Sequence, residues 1–361
     1  MCLPAVLVAA SATTAFANPR VYVNGKRISG DVIMSDGTIY VPLRSVGESL
    51  GAKVLWDSDT SAAFVSLSED DALAKLVSDV SPSVVAIIGN YSGTGETIGF
   101  NNPTVHGTGV IYRSDGRIIT NAHVVKDTRN LTVVLSDGTA LPGSVMYSDE
   151  TADLAIVKVN AIGLKPIVFA DKSSIESGRT AIAIGTPISL SMRNTVTKGI
   201  VCGCDVSLSD SHYKLIQTDA TVNPGNSGGA LLNINGELIG INSSKYAGTG
   251  IDNMAFAIPA DTVEYAISEF ETYGLIRRPK TGITLEQSWE AKIGLPTTKG
   301  ITVKTSENSV LQKGDVITAV NGIAVHSIAD WNEALRQTYN GSSVNVKYTS
   351  NGTEKEVVIQ G

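Results

Sequence analysis

Residues 214–232 read KLIQTDATVNPGNSGGALL, and the segment Gly225-Asn226-Ser227-Gly228-Gly229 lies there between two apolar runs. Glycines on both sides of a serine allow a tight turn, in which the N–H groups of Gly225 and Ser227 point at one spot beside the serine hydroxyl. An oxyanion formed during acyl transfer needs donors at that spot. Because the string also fits a glycine-rich turn without chemistry, residues elsewhere in the chain must decide between the two interpretations.

Two residues upstream have the chemistry that an activated serine requires. His123, one of four histidines, follows the strand-like run Ile118-Ile119 in the segment Thr120 to Val125. Asp153 opens the apolar segment Leu154 to Val157, where we expect a carboxylate to be half buried and to need a hydrogen-bond donor. An imidazole N–H is such a donor.

Together these residues predict a Ser-His-Asp triad. Ser227 attacks a carbonyl carbon, His123 takes and returns the proton, and Asp153 holds the imidazole tautomer and stabilises its cation. Taken singly, a histidine flanked by apolar residues is more often structural, and an aspartate before a strand is more often a turn or cap residue. The order His, Asp, Ser matches one of the convergent triad orders, and the G-x-S-x-G signature of α/β-hydrolases is absent.

From about Leu73 to Tyr273 the chain resembles the protease domain of the HtrA/Deg family of trypsin-like serine proteases. The motifs that carry this resemblance are Gly107-Thr108-Gly109-Val110, Thr120-Asn121-Ala122-His123-Val124-Val125, Asp153-Leu154-Ala155, Ala183-Ile184-Gly185-Thr186-Pro187, Val196 to Val201, Gln217-Thr218-Asp219-Ala220, Asn223 to Gly229 and Phe256-Ala257-Ile258-Pro259. The resemblance implies a double β-barrel with His123, Asp153 and Ser227 as the catalytic residues in the cleft between the barrels. It also implies an oxyanion hole made by the backbone of Gly225, Asn226 and Ser227.

Two positions differ from digestive trypsin-like enzymes. Asn226 stands where trypsin has an aspartate that pairs with a new N-terminus, so activation by that ion pair is not expected. The family resemblance implies control by ordering of the loops 185–195 and 203–212, coupled to peptide binding by a second domain. Thr221 stands six positions before the nucleophile, where trypsin has its specificity acid. We therefore expect Val or Ala, rather than Arg, on the acyl side of the cut bond. The expected substrate-binding residues are Thr221, Asn242 and Ser243.

Residues 276–361 are expected to form a separate module of short strands with one amphipathic helix, Ile328 to Gln337. A linking helix, Ala260 to Tyr273, is predicted to end before Arg278-Pro279, because proline stops a helix. The segment Lys313 to Gly322 and the helix after it resemble a PDZ domain of the type attached to HtrA proteases.

PDZ domains bind peptide C-termini by adding a strand beside a helix, and a glycine loop receives the carboxylate. The resemblance places that loop at Thr281, Gly282 and Ile283. Gly282 also fits a plain strand start, and the segment Lys304 to Val310 is shorter than the helical segment usual there. Peptide binding by this domain therefore stays open at this point.

The first residues have the pattern of a targeting segment. Leu3 to Phe16 is an apolar stretch too short to span a bilayer, and Ala15-Phe16-Ala17 offers a small-x-small cleavage site. Residues 1–17 therefore predict a signal peptide or, since no lysine or arginine precedes Arg20, an N-terminal anchor. We expect an exported protein that is extracellular, in the cell envelope or membrane-anchored.

Residues 18–68 carry strand and turn signals, and the Asn24-Gly25 pair predicts a hairpin. The arrangement resembles the copper amine oxidase N-terminal-like domain found on many exported Gram-positive proteins. We expect a small α+β domain with a role in attachment or spacing. Copper chemistry is not expected, because the segment contains no histidine and no cysteine.

Composition agrees with a mainly β chain, since 42% of the 361 residues are hydrophobic and 35 glycines lie among many short strands. Residues 69–275 are then the protease domain between two smaller ones. A net charge of −7 without a Lys/Arg cluster argues against nucleic-acid binding. Neither zinc-type Cys/His spacing nor a phosphate-binding loop is present, so no metal or other cofactor is expected.

Two hypotheses of different classes follow. The first is an exported, ATP-independent serine endopeptidase that cleaves unfolded or misfolded proteins and is controlled by C-terminal peptides at the PDZ domain. The alternative is a peptide-binding protein attached to the cell wall or membrane, whose active site is silent. The resemblance also implies a homotrimer, although Glu69 to Val85 contains no aromatic residue for the usual contact.

Overall fold

The computed structural model describes residues 19–23, 25–67, 69–91, 104–208, 211–244, 253–308 and 310–360. The predicted signal peptide and the central Asn24 of the predicted hairpin lie outside these residues. The chain divides into two compact units, residues 1–76 and 77–361.

Among its described residues, the first unit contains three antiparallel hairpins, the helix α1 and the start of a second helix. Its elements are β1 (Tyr22–Val23), β2 (Lys26–Arg27), β3 (Ile33–Ser35), β4 (Thr38–Tyr40), α1 (Leu43–Ser49), β5 (Ala52–Asp57) and β6 (Ala62–Leu67). Helix α1 packs on β5 through Gly47, where an added Cβ would lie 2.6 Å from Val54. Helix α2 (Glu69–Val80) begins in this unit and ends in the second.

The second unit begins with a closed six-stranded barrel. Its strands are β7 (Val84–Tyr91), β8 (Thr104–Arg113), β9 (Arg117–Thr120), β10 (Thr128–Val134), β11 (Ala140–Asp149) and β12 (Leu154–Val159), in the spatial order β10-β11-β12-β9-β8-β7. The short helix α3 (Ala122–Val125) follows β9 directly. Branched side chains such as Ile111, Ile118, Val133 and Val157 fill the barrel and are completely buried.

A second closed barrel of six strands follows. It contains β13 (Thr180–Gly185), β14 (Thr195–Val206), β15 (Leu215–Thr218), β16 (Ala230–Leu232), β17 (Leu238–Ser243) and β18 (Ala255–Pro259), in the order β13-β14-β15-β18-β17-β16. Thr108 of the first barrel joins it to the second. Its backbone N–H donates to Ser227 O at 2.8 Å, its hydroxyl donates to Gly225 O at 2.7 Å, and the N–H of Thr186 donates to that hydroxyl at 2.9 Å. Thr108 thus fixes the loop between β15 and β16 that carries Ser227 (the serine loop) against the first barrel.

Helix α4 (Ala260–Tyr273) links the second barrel to the C-terminal module, with the bounds that the sequence predicts. Pro259 precedes it, and Gly274 ends it in the left-handed conformation at φ +79°. Phe270 of its buried face stacks on Tyr147 of the first barrel, with ring centroids 5.6 Å apart. The helix is therefore packed on the protease domain.

The C-terminal module is a six-stranded sheet with a capped helix. Its elements are β19 (Ile283–Glu286), α5 (Trp289–Lys292), β20 (Ile301–Ser306), β21 (Val316–Val320), β22 (Ile323–Ala324), α6 (Ile328–Thr338), β23 (Ser343–Ser350) and β24 (Thr353–Gln360). The main order is β19-β20-β21-β23-β24, so β19 is an edge strand. Ser327 and Asp330 form a capping box that starts α6. Trp331 of this helix is buried in the module's core.

The prediction of a mainly β chain with two barrels and a C-terminal PDZ-like module is confirmed. Among the helices that the structure describes, none is long and apolar enough to cross a membrane.

Candidate active site

Asp153 lies in the turn between β11 and β12 and is only 1% exposed. Its backbone has a positive φ of +53°, a conformation uncommon for residues other than glycine, and its side chain is buried at the start of β12. His123 approaches it with Nδ1 at 2.9 Å from both carboxylate oxygens, and the His123 backbone N–H donates to Oδ1 at 3.1 Å. The Ser243 hydroxyl donates to Oδ2 at 3.2 Å. The buried carboxylate therefore has hydrogen-bond donors on both oxygens, as a buried charge requires.

This contact also decides the tautomer of His123. An ionised carboxylate only accepts hydrogen bonds, so Nδ1 of His123 carries the proton that faces Asp153. Nε2 is then the unprotonated nitrogen and can act as a general base. Helix α3, directly after β9, places the imidazole over the end of the first barrel.

Ser227 lies on the loop between β15 and β16, at 3% exposure. Gly225 and Gly228 adopt φ of +100° and +82° there, which a side chain would disfavour. The Asn226 N–H donates to Asn223 O at 2.9 Å. In the part of the chain that the structure describes, the N–H groups of Gly225 and Ser227 donate to no protein acceptor. Two of the three predicted oxyanion-hole amides are therefore available, and the amide of Asn226 is not.

The Ser227 hydroxyl makes its hydrogen bonds with Ser244. The two hydroxyl oxygens are 2.5 Å apart, and the Ser244 backbone N–H donates to Ser227 Oγ at 3.0 Å. Within the described residues no hydrogen bond joins Ser227 to His123. The three predicted catalytic residues are linked through one short segment, because Ser243 contacts Asp153, which is paired with His123, and Ser244 holds Ser227.

Sequence reasoning missed His106, which lies on β8 behind the serine loop. A Cβ added at Gly225 would lie 2.7 Å from His106 Nε2 and 2.4 Å from Thr186 O. That nitrogen is buried without a hydrogen-bond partner among the described residues, and burial lowers the pKa of this histidine. The position of His106 one residue before Gly107-Thr108-Gly109 was the only signal that could have indicated it.

The three expected substrate-binding residues are placed differently from one another. Thr221 is exposed, and its carbonyl accepts a hydrogen bond from the Thr197 hydroxyl at 2.9 Å. Asn242 is fully buried, and its side chain donates to Ala230 O at 2.8 Å, so it supports the barrel and does not face a substrate. Ser243 is buried and uses its hydroxyl on Asp153.

The predicted carboxylate loop of the C-terminal module leads into the edge strand β19. Gly282 has φ of +66°, and its carbonyl accepts from Glu307 N at 2.7 Å. The Thr281 carbonyl accepts from the Asn308 side chain at 3.3 Å, and Ile283 begins β19 and pairs with β20. One side of this segment is thus bonded to β20, and its other side is the outer edge of the sheet.

Helix α6 of the module touches the protease domain at the segment before β15. Asn332 donates its side-chain N–H to His212 O at 2.8 Å and to His212 Nδ1 at 3.3 Å. Lys214 forms an ion pair with Asp330 at 2.8 Å and donates its backbone N–H to Glu333 at 3.1 Å. Beside these contacts lies a cavity of about 190 Å³, lined by Arg278 and Thr281 among others.

Models of known families match three segments of the chain. A trypsin-like peptidase domain matches residues 107–241, a PDZ domain matches residues 289–360, and a copper amine oxidase N-terminal domain matches residues 18–80. The chain is 35% identical over 297 residues to the serine protease Do-like HtrA of Lactococcus lactis subsp. lactis (strain IL1403), which covers 74% of this chain and 73% of that protein. The chain belongs to the HtrA family of serine proteases.

Two further comparisons agree with this membership, and together with the trypsin-like and PDZ family models they support a serine endopeptidase with a PDZ domain. The serine protease Do-like HtrA of Lactococcus lactis subsp. cremoris (strain MG1363) is 32% identical over 371 residues, with 90% of each chain covered. The solved structure of the HtrA-type protease AlgW with a tripeptide has a TM-score of 0.66 and 27% identity, covering 79% of this chain and 95% of that one. The predicted family and enzyme class are confirmed.

The name of the N-terminal family raises the question of copper. Residues 18–80 contain no histidine or cysteine, the side chains that bind copper in proteins. Across the described ranges, no group of three His, Cys, Asp or Glu side chains is placed to hold a metal ion. Residues 18–80 therefore do not fit a copper site.

Proposed function

We propose that the chain is an exported, ATP-independent serine endopeptidase that cleaves unfolded or misfolded proteins through a covalent acyl-enzyme. The observation that carries the mechanism is the contact between Asp153 and His123, with Nδ1 at 2.9 Å from both carboxylate oxygens. That contact leaves Nε2 as the unprotonated ring nitrogen, which can act as the base.

The reaction takes two steps. Ser227 Oγ attacks the peptide carbonyl carbon while its proton passes to Nε2 of His123, and the tetrahedral intermediate collapses as the C–N bond breaks and His123 protonates the leaving amine. Water then attacks the acyl-enzyme ester and gives its proton to His123. The bond from the acyl carbon to Ser227 Oγ breaks, His123 returns the proton to Oγ, and the acid leaves. Asp153 stabilises the imidazolium in both steps.

We assign the oxyanion donors to the N–H groups of Gly225 and Ser227. Their lack of a protein acceptor supports this assignment, and the bond from Asn226 N–H to Asn223 O removes Asn226 from it. One such donor is worth about 10²- to 10³-fold in kcat. Residues that hold the loop, above all Thr108, therefore support catalysis without touching the substrate.

The proposed substrates are extended chains with a small or medium apolar residue on the acyl side of the cut bond. A cleft between two barrels accepts a chain only in an extended form, which favours unfolded proteins. Thr221 supplies no negative charge at the position that would select a basic side chain. The peptide-bound AlgW structures support binding of peptides by a relative of the same type.

Regulation is proposed to run from the PDZ domain through helix α6. Supporting contacts are those of Asn332 with His212 and of Asp330 and Glu333 with Lys214, which lies one residue before β15. Strand β15 itself leads into the loop that carries Ser227. A peptide that adds to β19 beside α6 would act on these contacts, and its carboxylate would lie at Thr281, Gly282 and Ile283.

Export and assembly remain part of the proposal. The apolar stretch Leu3 to Phe16 followed by small residues supports secretion or anchoring. Cell fractionation with an antibody against the PDZ domain tests it, and recovery in the cytoplasm alone would contradict it. A homotrimer is proposed from the family resemblance, and sedimentation that finds only monomers would rule it out.

Labelling with a fluorophosphonate probe tests the chemistry directly. The full chain is compared with Ser227→Ala, with and without added C-terminal peptides, and casein hydrolysis is followed in parallel. Labelling and hydrolysis that both require Ser227 support the proposed mechanism, and a rise with peptide supports control by the PDZ domain. Casein hydrolysis that persists in Ser227→Ala would remove this site from the mechanism. A chain that binds peptide but is never labelled would instead fit the silent binding protein.

A further inference from the structure

Two consecutive serines at the end of β17 hold opposite members of the triad. Ser243 is the last residue of the strand, and its hydroxyl donates to Asp153 at 3.2 Å. Ser244 follows it and bonds to Ser227. The same short segment therefore contacts both the acid and the nucleophile.

Ser244 engages the nucleophile twice. Its backbone N–H donates to Ser227 Oγ at 3.0 Å, and its hydroxyl oxygen is 2.5 Å from the same atom. Ser227 is 3% exposed, so little solvent competes for these bonds. A hydroxyl has one proton and two lone pairs. The Ser244 N–H occupies one lone pair of Ser227 Oγ, and the Ser244 hydroxyl bonds either to the other lone pair or to the Ser227 proton.

Either direction of the bond between the hydroxyls lowers the reactivity of Ser227. If Ser227 donates, its proton points at Ser244 and cannot pass to His123. If Ser244 donates, both lone pairs of Ser227 Oγ are occupied, and one of them must be freed for attack on a carbonyl carbon. In the described structure His123 is bonded to Asp153 and not to Ser227.

We propose that Ser244 is a positioning residue that holds the nucleophile in a resting orientation and must release it before attack. Release lets the Ser227 hydroxyl turn to His123 Nε2, a change within the ordinary rotamers of serine. The inference rests on the proposed roles of Ser227 and His123 and adds a control step at the site itself. This restraint on the nucleophile involves no residue of the PDZ domain.

The test measures the second-order rate constant for fluorophosphonate labelling of the full chain without peptide. Ser244→Ala removes the hydroxyl and keeps the backbone N–H, so we expect labelling about three- to tenfold faster, the range that one neutral hydrogen bond gives. Ser244→Thr keeps the hydroxyl and should stay near wild type. Ser144→Ala removes a serine from an exposed position of β11 and is the control.

A merely structural role for Ser244 is separated by the His123→Ala background. The gain from Ser244→Ala should vanish there, because no base remains to receive the freed hydroxyl. Should Ser244→Ala lose its near-ultraviolet circular dichroism, Ser244→Gly removes the same hydroxyl with a smaller side chain.

Folded Ser244→Ala and Ser244→Gly with rates at or below that of wild type would overturn the inference, and so would a gain that persists without His123. Labelling that is unchanged in Ser227→Ala would instead overturn the proposed function, so the two failures give different results.

Discussion

The guanidinium of Arg336 on helix α6 lies 2.9 Å from the carboxylate of Asp261 on helix α4, and 2.8 Å from that of Glu333 on its own helix. The Arg336 side chain is 7% exposed, and Glu333 and Asp261 are 11% and 21% exposed. Burial by itself would raise the pKa of Asp261, but Arg336 and Lys172 outweigh that effect and lower it. This cluster fastens the PDZ domain to the end of the protease domain.

Arg336→Met should loosen that attachment, because at a largely buried interface it leaves Glu333 without its salt-bridge partner and Asp261 with Lys172 alone. We expect the free energy of unfolding of residues 77–361 to fall by about 2–4 kcal/mol. Urea titration followed by tryptophan fluorescence measures it, since Trp331 is buried on the same helix. Lys347→Met breaks an exposed pair with Glu354 and should cost under about 1 kcal/mol. Equal losses in the two variants would contradict this account.

His212 should make stability depend on pH. Burial first, and then the charge of Arg278, lower its pKa to about 4, while Asp149 acts in the opposite direction. Its Nδ1 faces the side-chain N–H of Asn332. A protonated imidazole would place its own N–H against that donor, which is unfavourable. Between the ordinary pKa of 6.5 and about 4 the unfolded chain binds a proton that the folded chain does not, so stability falls as pH falls.

The free energy of unfolding should fall by up to about 3 kcal/mol at pH 4 because of His212. Urea titrations at several pH values measure it, and His212→Gln, which does not titrate, should flatten the slope in this window. Asp149, Asp261 and Asp330 all have lowered pKa values, so the stability that they contribute is present above their unfolded pKa and is lost only at more acidic pH. A slope between pH 6.5 and 4 that is unchanged by His212→Gln would argue against this assignment.

Helix boundaries show how far local sequence determines this fold. Helix α4 runs from Ala260 to Tyr273, as predicted, because Pro259 and Gly274 mark its ends in the sequence. The predicted PDZ helix, Ile328 to Gln337, ends one residue further, at Thr338. Caps and breakers act over a few residues, and sequence reasoning uses the same range.

Local sequence patterns do not predict contacts between residues that are far apart along the chain. Asn332 and His212 are 120 positions apart, and Ser227 and Ser244 are 17 apart on different elements. Asn242 was expected to contact the substrate, but the pairing of β16 and β17 buries its side chain beneath Ala230. Only the closed barrel determines which of these polar groups faces inward, and no local pattern encodes that closure.

Gly225→Ala should damage catalysis far more than folding. The added Cβ would lie 2.4 Å from Thr186 O and 2.7 Å from His106 Nε2 at a φ of +100°. Relief of these contacts must move the Gly225 N–H, so we expect a loss of about 10²-fold or more in kcat. Gly163→Ala is the matched control, because Gly163 also has a positive φ, +73°, with nothing within 4 Å of the added carbon. Equal kcat losses in the two variants would count against the assignment of Gly225 to the oxyanion hole.

Asp153→Asn should stop His123 from acting as the general base while keeping the shape of the site. The Asp153 carboxylate accepts from the backbone N–H of His123, from its Nδ1–H and from Ser243. An asparagine must place its NH₂ against one of these donors, and the conflict is relieved when His123 moves its proton to Nε2. That tautomer cannot accept the Ser227 proton, so kcat on a peptide with Val before the cut bond should fall by about 10³- to 10⁴-fold with KM little changed. Asp137→Asn, in an exposed turn, should keep kcat within about twofold. If Asp153→Asn instead raised KM and left kcat intact, Asp153 would bind substrate and would not orient His123.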